Sequence, residues 1–393
     1  MPFETLPSDF YGFESRLTPT EQDALLRLRA WLDETVRPVA NGLWERGEMF
    51  GPEVHRGLAE LGIYGLAWDE TRRFENSAVF RGWVALELAR VDASVATLVG
   101  VQNGLAMGAI AQCGSAEQRA EWLPRLASAE LLGAFGLTEP LSGSDSAQGL
   151  RTVARRDGDN WVLNGAKRWI GNGSIGDITV IWAKDADDGQ VKGFIVPQDS
   201  PGYSATAIAG KGSLRIIQNA DITLTDVVVP ESNRLQNANS FRDTAAVLRL
   251  TRAEVAWAAV GNSVQAYEAA VAYAKDRVQF GKPIASHQLI QELLAKSLGN
   301  ITSSIALVTR VSEMLDEGVQ RDEHSALAKE FATSRMRETV AWCREALGGN
   351  GIVFDYGAMR AFADAEALYS YEGTREMNTL IVGRAITGSA AFV

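Results

Sequence analysis

The order of patterns along these 393 residues predicts an α+β fold: a helical segment, then a β domain, then a helical bundle. Three observations carry this. Capping-box signatures stand at Thr18-Pro19-Thr20-Glu21 and Ser115-Ala116-Glu117-Gln118, beside runs rich in Leu, Ala and Glu. From about Arg151 to Pro230 the residues turn to Val, Ile, Thr and Trp, punctuated by Asp-Gly and Gly-rich turns. From about Ser240 onward apolar residues recur at helical spacing.

In chain order, Thr18 is the N-cap of a first helix, Pro19 fits its first position and Glu21 closes the box. Trp83 to Val91 reads as another helix, so residues 1–132 form an N-terminal α-helical domain. In the middle domain, 133–238, Thr152-Val153-Ala154 and Trp161-Val162-Leu163 flank Asp157-Gly158 as a hairpin. Ile178 to Trp182 and Gly193 to Val196 flank a turn at Asp187-Asp188-Gly189, and Asp221 to Val229 is a further strand. In the last domain, 239–393, Leu250, Trp257, Val264 and Val271 repeat every seven residues, with Ala253, Val260, Tyr267 and Ala274 offset by three. Leu294, Leu298, Ile301, Ile305, Val308 and Leu315 make a second stripe, as in an antiparallel bundle.

Composition narrows the chemistry. Only three histidines (His55, His287, His324) and two isolated cysteines (Cys113, Cys343) are present, in no metal-ligand or disulfide pattern. Metal-assisted hydrolysis, thiol catalysis and His-centred triads are therefore disfavoured, leaving a carboxylate, a lysine or an organic cofactor. A net charge of −11 argues against nucleic acid. No run of about 18 apolar residues predicts a membrane span. The N-terminus MPFETLPSDFYGFESRL lacks the basic and apolar regions of a signal peptide, and Ala391-Phe392-Val393 is no peroxisomal address. The expectation is a reduced, cytoplasmic protein.

Five segments invite a ligand, each with a plainer reading beside it. Gly171 to Gly176 satisfies G-x-G-x-x-G, but strand-like residues follow it where a dinucleotide site needs a helix, so it reads as a turn. Leu137 to Asp145 offers backbone N–H groups and hydroxyls to a polar ligand, or is a linker. Arg277 to Pro283 presents Arg and Phe as for a phosphate and a stacked base, or is an exposed turn that His287 packs near. Leu347 to Gly351 is a helix stop or a close approach to a ligand. Tyr371-Glu372-Gly373-Thr374 sets a carboxylate between an aromatic residue and a glycine, as a catalytic acid–base or a solvated acid.

In this order, Leu137–Asp145, Asn164–Asn172, Arg277–Pro283 with Gln288, Leu347–Gly351 and Tyr371–Thr374 resemble the motifs of the acyl-CoA dehydrogenase superfamily of flavoproteins. The likeness spans nearly the whole chain. It is nearest to glutaryl-CoA dehydrogenases at Gly383–Gly388 and to plant-type short-chain acyl-CoA oxidases at Lys167–Asn172 and Leu214–Asp221.

The resemblance implies that family's fold, with a middle β-barrel-like domain and a C-terminal four-helix bundle, and it implies FAD and a coenzyme A thioester. Glu372 would take the α-proton while flavin N5 accepts a hydride from the β carbon, giving the trans-2-enoyl-CoA. Leu137, Thr138 and Ser144 would line the flavin and its phosphate path, and Trp169 would pack on the ring. Arg277, Phe280, Gln288, Glu345, Gly348 and Gly349 would hold the adenosine and pyrophosphate half from a neighbouring subunit, which implies a homodimer or homotetramer. Thr374, Glu376 and Phe392 would complete the flavin site. Ser144, Arg252 and Gly373 match positions near the acyl-CoA. Electron-transfer flavoprotein is the implied acceptor, and fatty acid metabolism the setting.

Some relatives carry the base just before the Arg252 position; here that residue is Thr251, and Glu254 three residues later reads as a helix-surface or supporting carboxylate. Glutaryl-CoA dehydrogenases place an arginine for the distal carboxylate where this sequence has Ala96 beside Thr97. Unless Arg90 or another cation reaches in, glutaryl-CoA is expected to be a poor substrate. Gly171 replaces a threonine that contacts flavin N5 in many dehydrogenases, which either admits oxygen or reflects a repacked loop. The alternatives are an acyl-CoA oxidase passing electrons to O2, a flavin monooxygenase on the same fold, and a scaffold that has lost its flavin.

Overall fold

The structure is a computed structural model, and it describes residues 5–391. The N-terminal part comprises α1 (Pro19–Trp31), α2 (Arg37–Arg46), α3 (Pro52–Glu60), α4 (Ala78–Val91), α5 (Ala93–Val99), α6 (Gly108–Cys113) and α7 (Ala116–Ala127). Both capping boxes form. Thr18 accepts from Glu21 N and Ser115 from Gln118 N, while each N3 side chain returns to the N-cap amide. Between α5 and α6, Gly100–Met107 widens into π-helix, a winding that often marks functional sites. The sequence reading expected no membrane span; the continuous helix Ala93–Cys113 is long and apolar enough by length and composition to cross a membrane, yet 72% of its most apolar stretch is buried inside the protein.

The middle part contains β1 (Gly133–Gly136), the short α8 (Ser146–Gly149), β2 (Val153–Asp157), β3 (Asn160–Gly171), β4 (Ile178–Asp185), β5 (Val191–Pro197), β6 (Tyr203–Ala207) and β7 (Asn219–Pro230). They form one seven-stranded sheet of order β1-β4-β2-β3-β7-β6, with β5 antiparallel to β4. Asp157 pairs with Asn160 around Gly158, the hairpin read from sequence. Gly171–Gly176 is the turn from β3 into β4, not a helix entry. The β1 strand was not foreseen: it precedes the Leu137–Asp145 loop, which therefore lies inside the sheet domain rather than leading into it. One face gathers Trp161, Leu163, Ile181, Phe194, Ile222 and Val229 into a core. The opposite face packs Val180, Trp182 and Ile195 against Ile110, Leu123 and Val247 from the helices.

The C-terminal part begins with α9 (Phe241–Asp276), a 36-residue helix. A small exposed hairpin, β8 (Val278–Gln279) and β9 (Lys282–Pro283), turns the chain into α10 (Gln288–Asp316). Then come α11 (Asp322–Ala346), α12 (Ala358–Ser370) and α13 (Arg375–Thr387). Helices α9, α10 and α11 pack on one another, while α12 lies on α9 and α11, and α13 on α11. Trp257, Val264, Ile301, Ile305 and Val308 are at most 1% exposed, so both apolar stripes face the core. The α4 helix joins the bundle by packing along α9, with Gly82 under the Trp257 indole and Gly261 under the Leu86 carbonyl.

Candidate active site

The three parts enclose one cavity of about 780 Å³. Its walls come from α4, the α5–α6 helix, the loops after β1 and β3, α9 and the α12–α13 connection. Leu137, Thr138, Ser144, Trp169, Arg252, Glu372, Gly373, Thr374, Ala96 and Thr97 all line it. The sequence motifs thus converge from segments hundreds of residues apart.

Glu372 sits between α12 and α13 with φ 54°, followed by Gly373 at φ 81°. A left-handed non-glycine residue costs roughly 1–3 kcal/mol, and its surroundings must hold it. They do so here. The buried Lys329 ammonium donates to the carbonyls of Tyr369 (2.8 Å) and Gly373 (2.7 Å), one on each side of Glu372. Asn378, fully buried, donates to Gly373 O and Thr374 O. Thr374 caps α13 by accepting from Met377 N. A Cβ on Gly373 would lie 3.3 Å from Asn378 Nδ2, so the position suits glycine on two counts.

The Glu372 carboxylate accepts a hydrogen bond from the Thr251 hydroxyl at 2.7 Å. Burial pushes its carboxyl above the ordinary value, although the Thr251 hydrogen bond and the charges of Arg252 and Lys329 pull the other way. Arg252 has its Nε buried with no hydrogen-bond partner among the described residues. Tyr371 OH lies 3.4 Å from Thr97 Oγ1 and closes the wall beside the base.

The loop after β1 is fixed from below. Lys167, fully buried on β3, donates to Leu137 O (3.1 Å), Glu139 Oε1 (2.9 Å) and Trp182 O (2.7 Å). Glu139 in turn accepts from Arg151 N, Thr152 N and the Thr152 hydroxyl. Trp169 is left-handed at φ 65° and 51% exposed, with Arg168 lying 5.2 Å from its ring centroid. At Gly171, a Cβ would come 3.0 Å from Val101 Cγ2 and 3.7 Å from Ile217 Cδ1. A side chain there would need Val101 to give by a few tenths of an ångström, and Gly171 itself lines the cavity.

The remaining motif residues stand elsewhere. Arg277, Phe280, Gln288, Glu345, Gly348 and Gly349 are exposed and do not line the cavity. They cluster around one end of α9, where Asn350 Nδ2 donates to Tyr273 OH. Phe280 is 94% exposed at φ 54°. Glu376 is also outside the cavity, paired with Arg375. Phe392 lies outside the described residues. Arg90 does not reach the cavity: it is 5% exposed and held by Glu87 and Glu268, with Asp33 nearby. Two cavity residues were misread or missed. Glu254 is a lining residue rather than a helix-surface one, and Arg81 of α4 lines the cavity too.

Comparison with known proteins decides the family. The chain matches the models for the acyl-CoA dehydrogenase N-terminal domain over 18–130, middle domain over 134–227 and C-terminal domain over 241–387. It is 31% identical to an acyl-CoA dehydrogenase of Bacillus subtilis (strain 168) over 94% of this chain and 99% of that protein. The chain belongs to the acyl-CoA dehydrogenase family. It is therefore an FAD-dependent oxidoreductase. Among solved structures, a glutaryl-CoA dehydrogenase from Mycobacterium smegmatis in complex with FADH2 matches with TM-score 0.95 and 34% identity, covering 99% of this chain and 100% of that one. A butyryl-CoA dehydrogenase from Megasphaera elsdenii matches with TM-score 0.90 and 29% identity, covering 94% and 99%.

The cavity fits the family's cofactor on its own evidence. A half-exposed indole, the Thr138 and Ser144 hydroxyls and the orphaned Ser213 Oγ surround a space large enough for a flavin ring beside an acyl chain.

Proposed function

We propose that this family member oxidises a short-chain acyl-CoA thioester to its trans-2-enoyl-CoA, with Glu372 as the α-proton acceptor. The single observation that carries this is the Glu372 carboxylate, oriented by Thr251 at 2.7 Å and flanked by Arg252 and Lys329, on the same cavity as the Leu137, Thr138 and Trp169 wall. FAD, when bound, supplies the acceptor for the hydride that leaves the β carbon. Every other part belongs to the chain. Burial raises Glu372 toward the basicity that α-proton abstraction needs. The strained turn holds it while the substrate enters, and Leu137, Thr138, Ser144, Trp169 and Thr374 hold the flavin.

The exposed set of Arg277, Phe280, Gln288, Glu345, Gly348 and Gly349 serves a neighbouring subunit's cofactor, in a homodimer or homotetramer. An aromatic residue 94% exposed at a hairpin tip supports that role. The acceptor is electron-transfer flavoprotein, in cytoplasmic fatty acid metabolism; the likeness to acyl-CoA dehydrogenases supports it over oxygen. Short-chain preference is supported by the butyryl-CoA relative. The test is anaerobic mixing with butyryl-CoA. Bleaching of the flavin by wild type, lost in Glu372→Gln with FAD content unchanged, is expected; bleaching that survives within about tenfold removes Glu372 from the role.

A further inference from the structure

The cavity is apolar along much of α4 and α9, where Val84, Ala85, Leu88, Val255 and Ala258 line it. Beyond Arg252, which stands beside Glu372, two ionisable side chains interrupt that wall, Glu254 and Arg81. Glu254 lies one helical turn beyond Thr251, the residue that orients the base. Arg81 lines the same cavity from α4, and each feels the other's charge. Gly104 provides the room, since a Cβ there would come 2.7 Å from Glu254 Oε2. The Glu254 carboxylate has no hydrogen-bond partner and no ion pair within 4.0 Å among the described residues. Arg81 is held by Asn76, with Nη1 at 2.9 Å from Oδ1 and 3.2 Å from the carbonyl, and lies 4.0 Å from Asp316.

An alkyl tail laid along this wall would leave a buried carboxyl unpartnered, and such a group costs free energy until something bonds it. A distal carboxylate would meet Glu254, and a distal ammonium would meet Arg81. A hydroxyl or carboxamide satisfies both, donating to Glu254 and accepting from Arg81. We propose that Glu254 and Arg81 form a recognition site for a neutral hydrogen-bonding group, a hydroxyl or carboxamide, on the acyl chain beyond the reacting carbons. This rests on the acyl-CoA reading of the same cavity.

The test compares straight-chain acyl-CoAs with ω-hydroxyacyl-CoAs of matched length on the FAD-loaded enzyme, by anaerobic flavin bleaching. Binding of the unreactive S-alkyl and S-(ω-hydroxyalkyl) CoA thioethers is measured alongside by calorimetry. At the best length, wild type favours the hydroxylated member of each pair by at least about tenfold, since a site built to bond a hydroxyl rejects the analogue lacking it. Glu254→Leu reverses the preference and Glu254→Gln keeps part of it; as ratios on one preparation, these are insensitive to partial loss of folding. A wild-type preference for alkyl chains at every length, or a ratio unmoved in Glu254→Leu, overturns the proposal while leaving the acyl-CoA reading intact. Bleaching by no acyl-CoA of either kind overturns both.

Discussion

The hydroxyl of Thr251 donates to the carboxylate of Glu372 at 2.7 Å, joining the middle of α9 to the α12–α13 turn across 121 residues of sequence. This bond fixes one oxygen of a base that lines the cavity. It also favours the ionised form, against the burial that raises the carboxyl.

A pH profile reads that balance. The base works ionised, so kcat/KM falls as pH drops through its pKa, and burial places this acid limb above the ordinary carboxylate range. Arg252 on α9 and Lys329 on α11 hold the limb down, while burial, with the Glu372 charge adding to it, pushes the Glu254 carboxyl up to about 7. Thr251→Ala removes a lowering contact, so its limb moves to higher pH than in wild type. A limb that stays put or moves to lower pH shows that another group titrates.

Lys329 is a positioning residue. Lys329→Met removes the ammonium donor from the carbonyl of Tyr369, at about 1–3 kcal/mol for a buried group, and leaves Gly373 O with Asn378 Nδ2 alone. The melting temperature therefore falls and kcat drops as the strained turn relaxes. A purely structural lysine would do no more. Here the missing positive charge also raises Glu372, so the acid limb moves to higher pH; an unmoved limb with normal kcat refutes the assignment.

Lys167 and Glu139 support the flavin wall in the same manner. Burial draws the Lys167 ammonium down to about 8, which leaves it charged at neutral pH. Burial opposes ionisation of Glu139 as well, but Lys167 and Thr152 outweigh it and hold the carboxyl below its ordinary value. A depressed folded-state pKa means that Glu139 contributes stability above its unfolded pKa and loses it as pH falls through the folded one. Glu139→Gln should therefore flatten the acid side of the urea-midpoint profile. Lys167→Met strands a buried carboxylate, at about 3–5 kcal/mol, and releases Leu137 O, so FAD dissociates more readily on dilution. Unchanged urea midpoint and FAD retention in Lys167→Met would contradict both expectations.

How much of this was legible depends on the kind of residue. Capping boxes at Thr18 and Ser115, and stripes such as Trp257 and Val264, follow from local sequence, and they formed. Glu372 stood out through its motif. Lys329 did carry a signal: it shares the buried face of α11 with Ser325, Ala326, Ala332 and Met336, where a lysine needs a partner. The signal was missed because its partners are carbonyls 40 and 44 residues away. Glu254 was misread because its surroundings are tertiary: only the packing of α4 and the π-wound Gly100–Met107 against α9 turns that helix position into a cavity wall. β1, four residues long, is too short for a periodic pattern to reveal.

Glutaryl-CoA offers the sharpest test of substrate range, because a glutaryl-CoA dehydrogenase is so similar in structure. Its distal carboxylate needs a cation where the acyl tail lies, whereas Arg252, which lines the cavity with an unpartnered Nε, stands beside Glu372 at the reacting end. Ala96 and Thr97 line the wall, and neither carries a charge. Arg90 is spent on Glu87 and Glu268. Arg81 is held by Asn76 and lies 4.0 Å from Asp316, and ionised Glu254 would repel the incoming anion. A carboxylate desolvated without its partner loses several kcal/mol, so kcat/KM for glutaryl-CoA should lie at least about 100-fold below butyryl-CoA. Glu254→Gln removes the repulsion while keeping Arg81, and should narrow that gap. Comparable wild-type rates for the two substrates, with release of carbon dioxide from glutaryl-CoA, would show that Arg81 turns away from Asn76 to bind the anion.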